Sequence, residues 1–181
     1  MKNIPPADDS AFVQTKPAEI VAKMPLPPAI KLGMNAAYYS PANDLIGMPD
    51  RERFDAEDNY HATLFHELVH STGHEKRLKR AGIVERNGHG SDPYGKEELI
   101  AELGSAFLCG YAGIVDRTIN HSAAYLEGWL KQLKEDKTLI VHAAAQAQKA
   151  ADFILGHQPE NQPDNIIPKI LASAKPVEVM A

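Results

Sequence analysis

The stretch HATLFHELVHSTGH, from His61 to His74, carries half of the chain's eight histidines, and His66, His70 and His74 recur in it at every fourth position. On a helical wheel from Asp58 to Thr72, Ala62, Leu64, Phe65, Leu68 and Val69 fall on one broad apolar side, which predicts an amphipathic helix turned toward a core. His66 and His70 lie on another face. Residues four apart on a helix are neighbours, so the two imidazoles can converge on one ion, with Glu67 about 100° further round. This is the HExxH arrangement. It offers two neutral nitrogen donors that leave a coordination position open for water, and a carboxylate near enough to accept that water's proton. The plain alternative is a surface helix that spells HELVH by accident. A third protein ligand decides between them, because a catalytic zinc has three plus water.

His74 is the nearest candidate in sequence. In an unbroken helix it lies about 12 Å along the axis from His66, whereas donors on one zinc stand about 3 to 4 Å apart. HExxHxxG resembles the opening of the metzincin peptidase motif, in which a further histidine follows three residues after the glycine. Lys76 occupies that position here. His89, in a glycine-flanked loop, reads as solvated.

The run PYGKEELIAELGSAFLCGYAG supplies a better candidate. Leu99, Leu103, Ala106, Phe107 and Gly110 form one apolar side, extended by Ile100, Ala101 and Leu108, so the helix is predicted to be largely buried. Within it Glu98 and Glu102 form a narrow acidic stripe continued by Ser105 and Cys109. Burying unpaired carboxylates costs several kcal/mol each and raises their pKa unless a cation or hydrogen-bond donors offset it. A metal ion and histidine ring N–H groups supply both. We therefore assign Glu98 as third ligand and Glu102, one turn on, as the acceptor that orients a ligating histidine. Glu97, about 100° away on the wheel, is the fallback ligand. On its own, EELIAE would read as a solvated acidic stripe.

Around these helices the chain suits one domain: 181 residues and 44% apolar content suffice for a single core. Its net charge of −5, with both signs scattered, gives neither a basic footprint for nucleic acid nor extreme acidity. One cysteine, Cys109, allows no internal disulfide. The N-terminus lacks an apolar signal core, and no apolar run approaches the roughly 20 residues that span a bilayer. A soluble cytoplasmic protein with no membrane partner is expected.

Residues 1–16 and 158–181 are polar and proline-bearing, and read as flexible extensions of a domain at 17–157. AEIVAKM reads as a short helix, and AIKLGM and AAYYSPANDLIGM as strands, the second folded at SPAND. From Asp55 the pattern turns helical. AEDNYHATLFHELVHST is closed by Gly73, and PYGKEELIAELGSAFLCGYAG is opened by Ser91 or Asp92 with Pro93 in its first turn. SAAYLEGWLKQLKE and KTLIVHAAAQAQKAADFIL follow. A polar loop, KRAGIVERNGHGSD, separates the first two. A small N-terminal sheet followed by a helical bundle makes an α+β domain.

Taken together, YYSPANDLIGMP, HATLFHELVHSTGHEKRLKR, YGKEELIAELGSAFLCGYAGI and AAYLEGWLKQLKEDKTLIVHAAAQAQKAADFIL resemble the zincin-like metallopeptidase domain of ArdC-type antirestriction proteins and TraC-type plasmid primases, in consistent order over about residues 17 to 157. The resemblance implies a zincin-like fold and a Zn2+ site. The E-x-x-A-D/N/E motif of zincins whose third ligand is glutamate falls on Glu98, Ala101 and Glu102. This gives His66, His70 and Glu98 as ligands and Glu67 as base. ArdC-type proteins carry an N-terminal single-stranded-DNA-binding domain, and here a short polar segment stands in its place, so the resemblance covers the peptidase domain alone and leaves DNA binding and antirestriction activity open.

The resulting expectation is a zinc metallopeptidase acting on a protein or peptide substrate, linked to plasmid or phage antirestriction or to mobile-element biology. The rivals are a noncatalytic zincin-fold module that protects DNA or blocks a host enzyme by contact, and a closed structural metal site with His74 or His89 as a fourth ligand. An intact Glu67 favours the enzyme, since a pure binder has no need of a base there. Tyr94 and His74 are candidate donors to the developing oxyanion. NDLIGM is expected as an edge strand to which a substrate chain adds. Trp129, Leu130 and Leu133 read as core, and the alanines of HAAAQAQKAA as close helix packing, with His142 on the helix surface. Cys109 reads as buried filler. HEKRLKR reads as a solvated loop that could meet phosphates.

Overall fold

The computed structural model describes residues 17–84, 92–114 and 137–157. After one short helix, a three-stranded sheet precedes the remaining helices, as the order of sequence patterns predicts. Helix α1 (Pro17–Lys23) has proline in its first turn, where no N–H is needed, with Glu19 near its start and Lys23 at its end to suit the helix dipole. Strands β1 (Ala29–Lys31), β2 (Tyr38–Ser40) and β3 (Leu45–Gly47) follow. Asp44 takes the left-handed backbone, φ 47°, that closes the turn between β2 and β3.

The sheet order is β1-β3-β2, with β1 parallel and β2 antiparallel to β3. NDLIGM is therefore the central strand, not the edge. The short turn folds Tyr38–Ser40 back along one side of β3, and Ala29–Lys31 takes the other side. The edge that lies against the histidine helix is β2.

Helix α2 (Glu57–Thr72) follows a 3-10 turn at Arg51–Arg53. Leu64, Phe65, Leu68 and Val69 are its buried face, as the wheel predicts. It ends at Gly73, whose backbone is right-handed (φ −71°). What Gly73 provides is room: a Cβ there would lie 2.5 Å from Cγ1 of Ile83 and 3.1 Å from Nη2 of Arg80. The returning chain thus passes close under the end of α2 and forms a short helix, α3 (Ala81–Val84), inside the stretch expected to be loop.

That return corrects the reading of HEKRLKR as solvated. The Arg77 side chain is 1% exposed; it donates to the Leu26 carbonyl at 3.0 Å and to Asp44 at 2.6 Å. Arg80 is also buried. Both guanidinium groups can leave water because a carboxylate meets each of them.

Helices α4 (Asp92–Ala112) and α5 (Lys137–Ile154) complete the described core, and α4 packs on both α2 and α5. Because it is covered on two sides, its buried strip runs through Leu99, Ile100, Ala101, Leu108, Cys109 and Ala112, whereas Phe107, expected inside, is 37% exposed. Ala143, Ala147, Ala150 and Ala151 of α5 are buried, so its small residues do line a helix contact. Among the described residues no helix is long and apolar enough to cross a membrane. His89, Trp129, Leu130, Leu133 and the two terminal segments lie outside the described residues.

Candidate metal centre

Gly104 sets the distance between the two helices that build the site. A Cβ at this position would stand 2.8 Å from Cγ2 of Val69, so α4 approaches α2 more closely than any other residue would permit. The approach is antiparallel, since His66 faces Glu102 while His70, one turn further along α2, faces Glu97 and Glu98, one turn back on α4.

At this crossing Nε2 of His66 and Nε2 of His70 are 3.1 Å apart, and the Glu98 carboxylate lies 3.5 Å from the first and 3.4 Å from the second. All three donors fall within 4.8 Å of one another. Four ligands at bond lengths of about 2.0 to 2.1 Å around a tetrahedral ion stand about 3.3 to 3.4 Å apart. The opposite ring nitrogens are also engaged: Nδ1 of His66 is 3.4 Å from Glu102, and Nδ1 of His70 is 3.4 Å from Glu97. A carboxylate only accepts, so the contacts with Glu102 and Glu97 take up a ring proton on each Nδ1, and Nε2 is the atom left to ligate. Two Nε2 atoms facing each other beside a carboxylate make a donor set suited to a divalent cation.

Burial alone would lower the pKa of His66, but the carboxylates of Glu102 and Glu98 outweigh it and push the ring up to about 9, so these carboxylates favour positive charge here and a cation held by Nε2 would displace a proton from it. Glu67 is buried on the same turn of α2, and burial raises its carboxyl above the usual range against the pull of His70 and His66. The backbone N–H of Tyr39, on β2, lies on the side of that carboxylate and pulls its pKa the other way, and β2 is the edge strand that packs on α2.

Glu97, the fallback ligand of the sequence reading, is committed elsewhere. Arg80 donates to both of its oxygens, at 2.9 and 2.5 Å, and also to the Thr72 hydroxyl at 2.6 Å and the Val69 carbonyl at 2.7 Å. Burial would raise the Glu97 pKa; Arg80 and His70 hold it below the ordinary carboxylate range instead. Sequence reasoning missed Arg80, the partnership of Glu97 with His70, and Tyr39. Pairing α2 and α4 antiparallel would have suggested the second, because a carboxylate one position before Glu98 then falls beside His70. Nothing in the pattern of HEKRLKR singles out Arg80.

The other candidates stand apart. His74 is buried at the turn after α2, where its Nδ1 accepts the Lys76 N–H at 3.2 Å, and it is not one of the clustered donors. His142 is exposed on α5. The side chain of Tyr94 lies outside the described residues. Cys109 is buried and lines a cleft of about 420 Å³ that opens beside His66 and Glu102, with Asn59, Thr63 and Ser105 on its walls.

The zincin-like metallopeptidase family matches residues 19–146. A DNA primase TraC of Escherichia coli is 44% identical over 122 residues, which are 67% of this chain and 11% of the primase. Crystal structures of the antirestriction ArdC protein from plasmid R388 are 36% identical to this chain. The Mn(II)-bound form superposes with a TM-score of 0.59 over 90% of this chain and 57% of that one, and the metal-free form with 0.60 over 90% and 55%. This chain therefore spans a small part of the primase and little more than half of ArdC. Fold, helix order and matched residues agree, and the chain belongs to the zincin-like metallopeptidase family.

Proposed function

We propose that the protein is a zinc-dependent peptidase, with His66, His70 and Glu98 as ligands and Glu67 as general base. The observation that supports this most directly is the position of Glu67: a buried carboxylate on the same turn of α2 as His66 and His70, beside three convergent donors. A ligand set of two histidines and a glutamate suits zinc with one position left open. Zinc in this site would supply Lewis acidity, lowering the pKa of a water and polarising a carbonyl. Glu67 takes the proton of the attacking water and returns it to the departing amine; burial lifts its pKa toward the range where one carboxyl can do both. Glu102 and Glu97 hold the imidazoles in the tautomer that keeps both Nε2 atoms available. A substrate chain laid along the outer edge of β2, rather than along NDLIGM, would present its backbone to Glu67.

One of the similar structures is an antirestriction protein from plasmid R388, which supports extending the proposal to a role in antirestriction. The Mn(II)-bound relative also suggests that this scaffold accepts manganese, which the choice of metal in the assay should cover. The test is hydrolysis of an unfolded, fluorescently labelled protein by the zinc-loaded wild type and by Glu67→Gln. Cleavage lost by about 10² to 10⁴-fold in a variant that keeps one zinc is the expected result. Equal cleavage by both would end the role of Glu67, and none by either would favour the noncatalytic module.

A further inference from the structure

Behind the metal centre, on the other side of Glu97, lies a cleft of about 600 Å³ whose floor includes Arg80 and Glu97 themselves. Its walls carry Lys79 from the turn before α3, Lys96 from α4 and Lys149 from α5, while Leu78 and Ile100 contribute apolar surface. Among the described residues Glu97 is the one acid in the lining, and Arg80 already neutralises it. Neither Lys79 nor Lys149 forms an ion pair with a described residue. Positive charge thus collects in one concave place on a chain whose net charge is −5. Lys79 is moreover held at φ 48°, a left-handed conformation that costs a non-glycine residue energy and that is found preferentially at ligand sites.

We propose that this cleft binds a small phosphate-bearing molecule with an apolar body. Volume and chemistry point the same way. Pockets of roughly 300 to 1,000 Å³ with apolar walls and a few convergent polar groups are the usual form of small-molecule sites. The cations at the walls are lysines, compact point charges that suit a phosphate, whereas planar carboxylate recognition favours the fork of arginine. The one arginine present spends its N–H groups on Glu97, Thr72 and Val69. This inference does not depend on peptidase activity, and its test reads binding alone.

The test is calorimetric titration of the zinc-loaded protein with phenyl phosphate, inorganic phosphate, phthalate and benzyl alcohol, repeated on the double variant Lys79→Asn, Lys149→Gln. Asparagine tolerates the left-handed backbone at the first position. The expected result is one saturable phenyl phosphate site, tighter than that for inorganic phosphate or phthalate, with no binding of benzyl alcohol. In the double variant, with its zinc content unchanged, the affinity should fall by about tenfold or more. Absence of saturable binding would overturn the proposal. So would an unchanged affinity in the double variant, since the phosphate would then be on the metal, and so would equal binding of phthalate.

Discussion

The guanidinium of Arg80 holds both carboxylate oxygens of Glu97, at 2.9 and 2.5 Å. Glu98, the next residue, reaches both Nε2 atoms of the histidine pair instead. Two adjacent glutamates on one helix are thereby given different tasks. Arg80→Met leaves Glu97 charged and buried without its partner, a change that costs roughly 3 to 5 kcal/mol. Urea unfolding should show that loss, and chelator competition should show metal affinity down by about 10 to 100-fold, because Glu97 no longer steadies His70. Adding Glu97→Gln should restore part of the stability. Arg80→Met within about 1 kcal/mol of wild type would mean that the pair contributes little.

Metal stoichiometry separates the acids and the histidines. Elemental analysis of purified protein should find about one zinc per chain in wild type and in His74→Ala, and none in Glu98→Ala. Glu97→Gln should keep full occupancy at saturating zinc and lose affinity, as expected for a residue that acts through His70. Full retention by Glu98→Ala would remove it from the ligand set. Loss of zinc in His74→Ala would bring back the closed structural site.

Gly104→Ala tests whether helix spacing sets the donor spacing. The added methyl would meet the Val69 side chain. Overpacking of this kind costs about 1 to 3 kcal/mol. If α4 moves out to relieve it, Glu98 and Glu102 move away from His66, and metal affinity should fall together with stability. A compensating Val69→Ala should recover both. Recovery of stability without affinity would show that the spacing is fixed elsewhere.

Much of this site was legible from spacing, because helical periodicity fixes which residues share a face. His66 and His70 four apart, Glu67 between them, and Glu98 and Glu102 on a second apolar helix were enough to bring the metal-site candidates together. Strand order was not legible: β3 sits in the middle because a parallel partner, β1, comes from earlier in the chain, and nothing in NDLIGM announces a second neighbour. Nor was the burial of Arg77 and Arg80, whose surroundings depend on how the chain turns back past Gly73. The exposure of Phe107 has the same origin, since two neighbours choose the buried strip of α4 and the wheel of a single helix identifies only its most apolar side.

The acid limb of stability should carry the signature of His61, a histidine that does not belong to the metal cluster. Its ring is buried beside Tyr60 and Phe65, and its Nδ1 has no hydrogen-bond partner. Burial lowers its pKa below 6.5, and the Glu57 carboxylate, 3.5 Å from Nε2 and largely exposed, does not offset this. The unfolded chain therefore binds a proton at a pH where the folded one does not. The contribution of the neutral ring is complete above about 6.5 and is lost as pH falls through the lower folded value. Unfolding free energies at pH 8 and pH 5, measured in excess chelator so that metal release plays no part, should differ less in His61→Phe than in wild type. The comparison is between slopes, so a uniform cost of fitting the larger ring cancels. An equal drop in both proteins would assign the acid sensitivity to other groups.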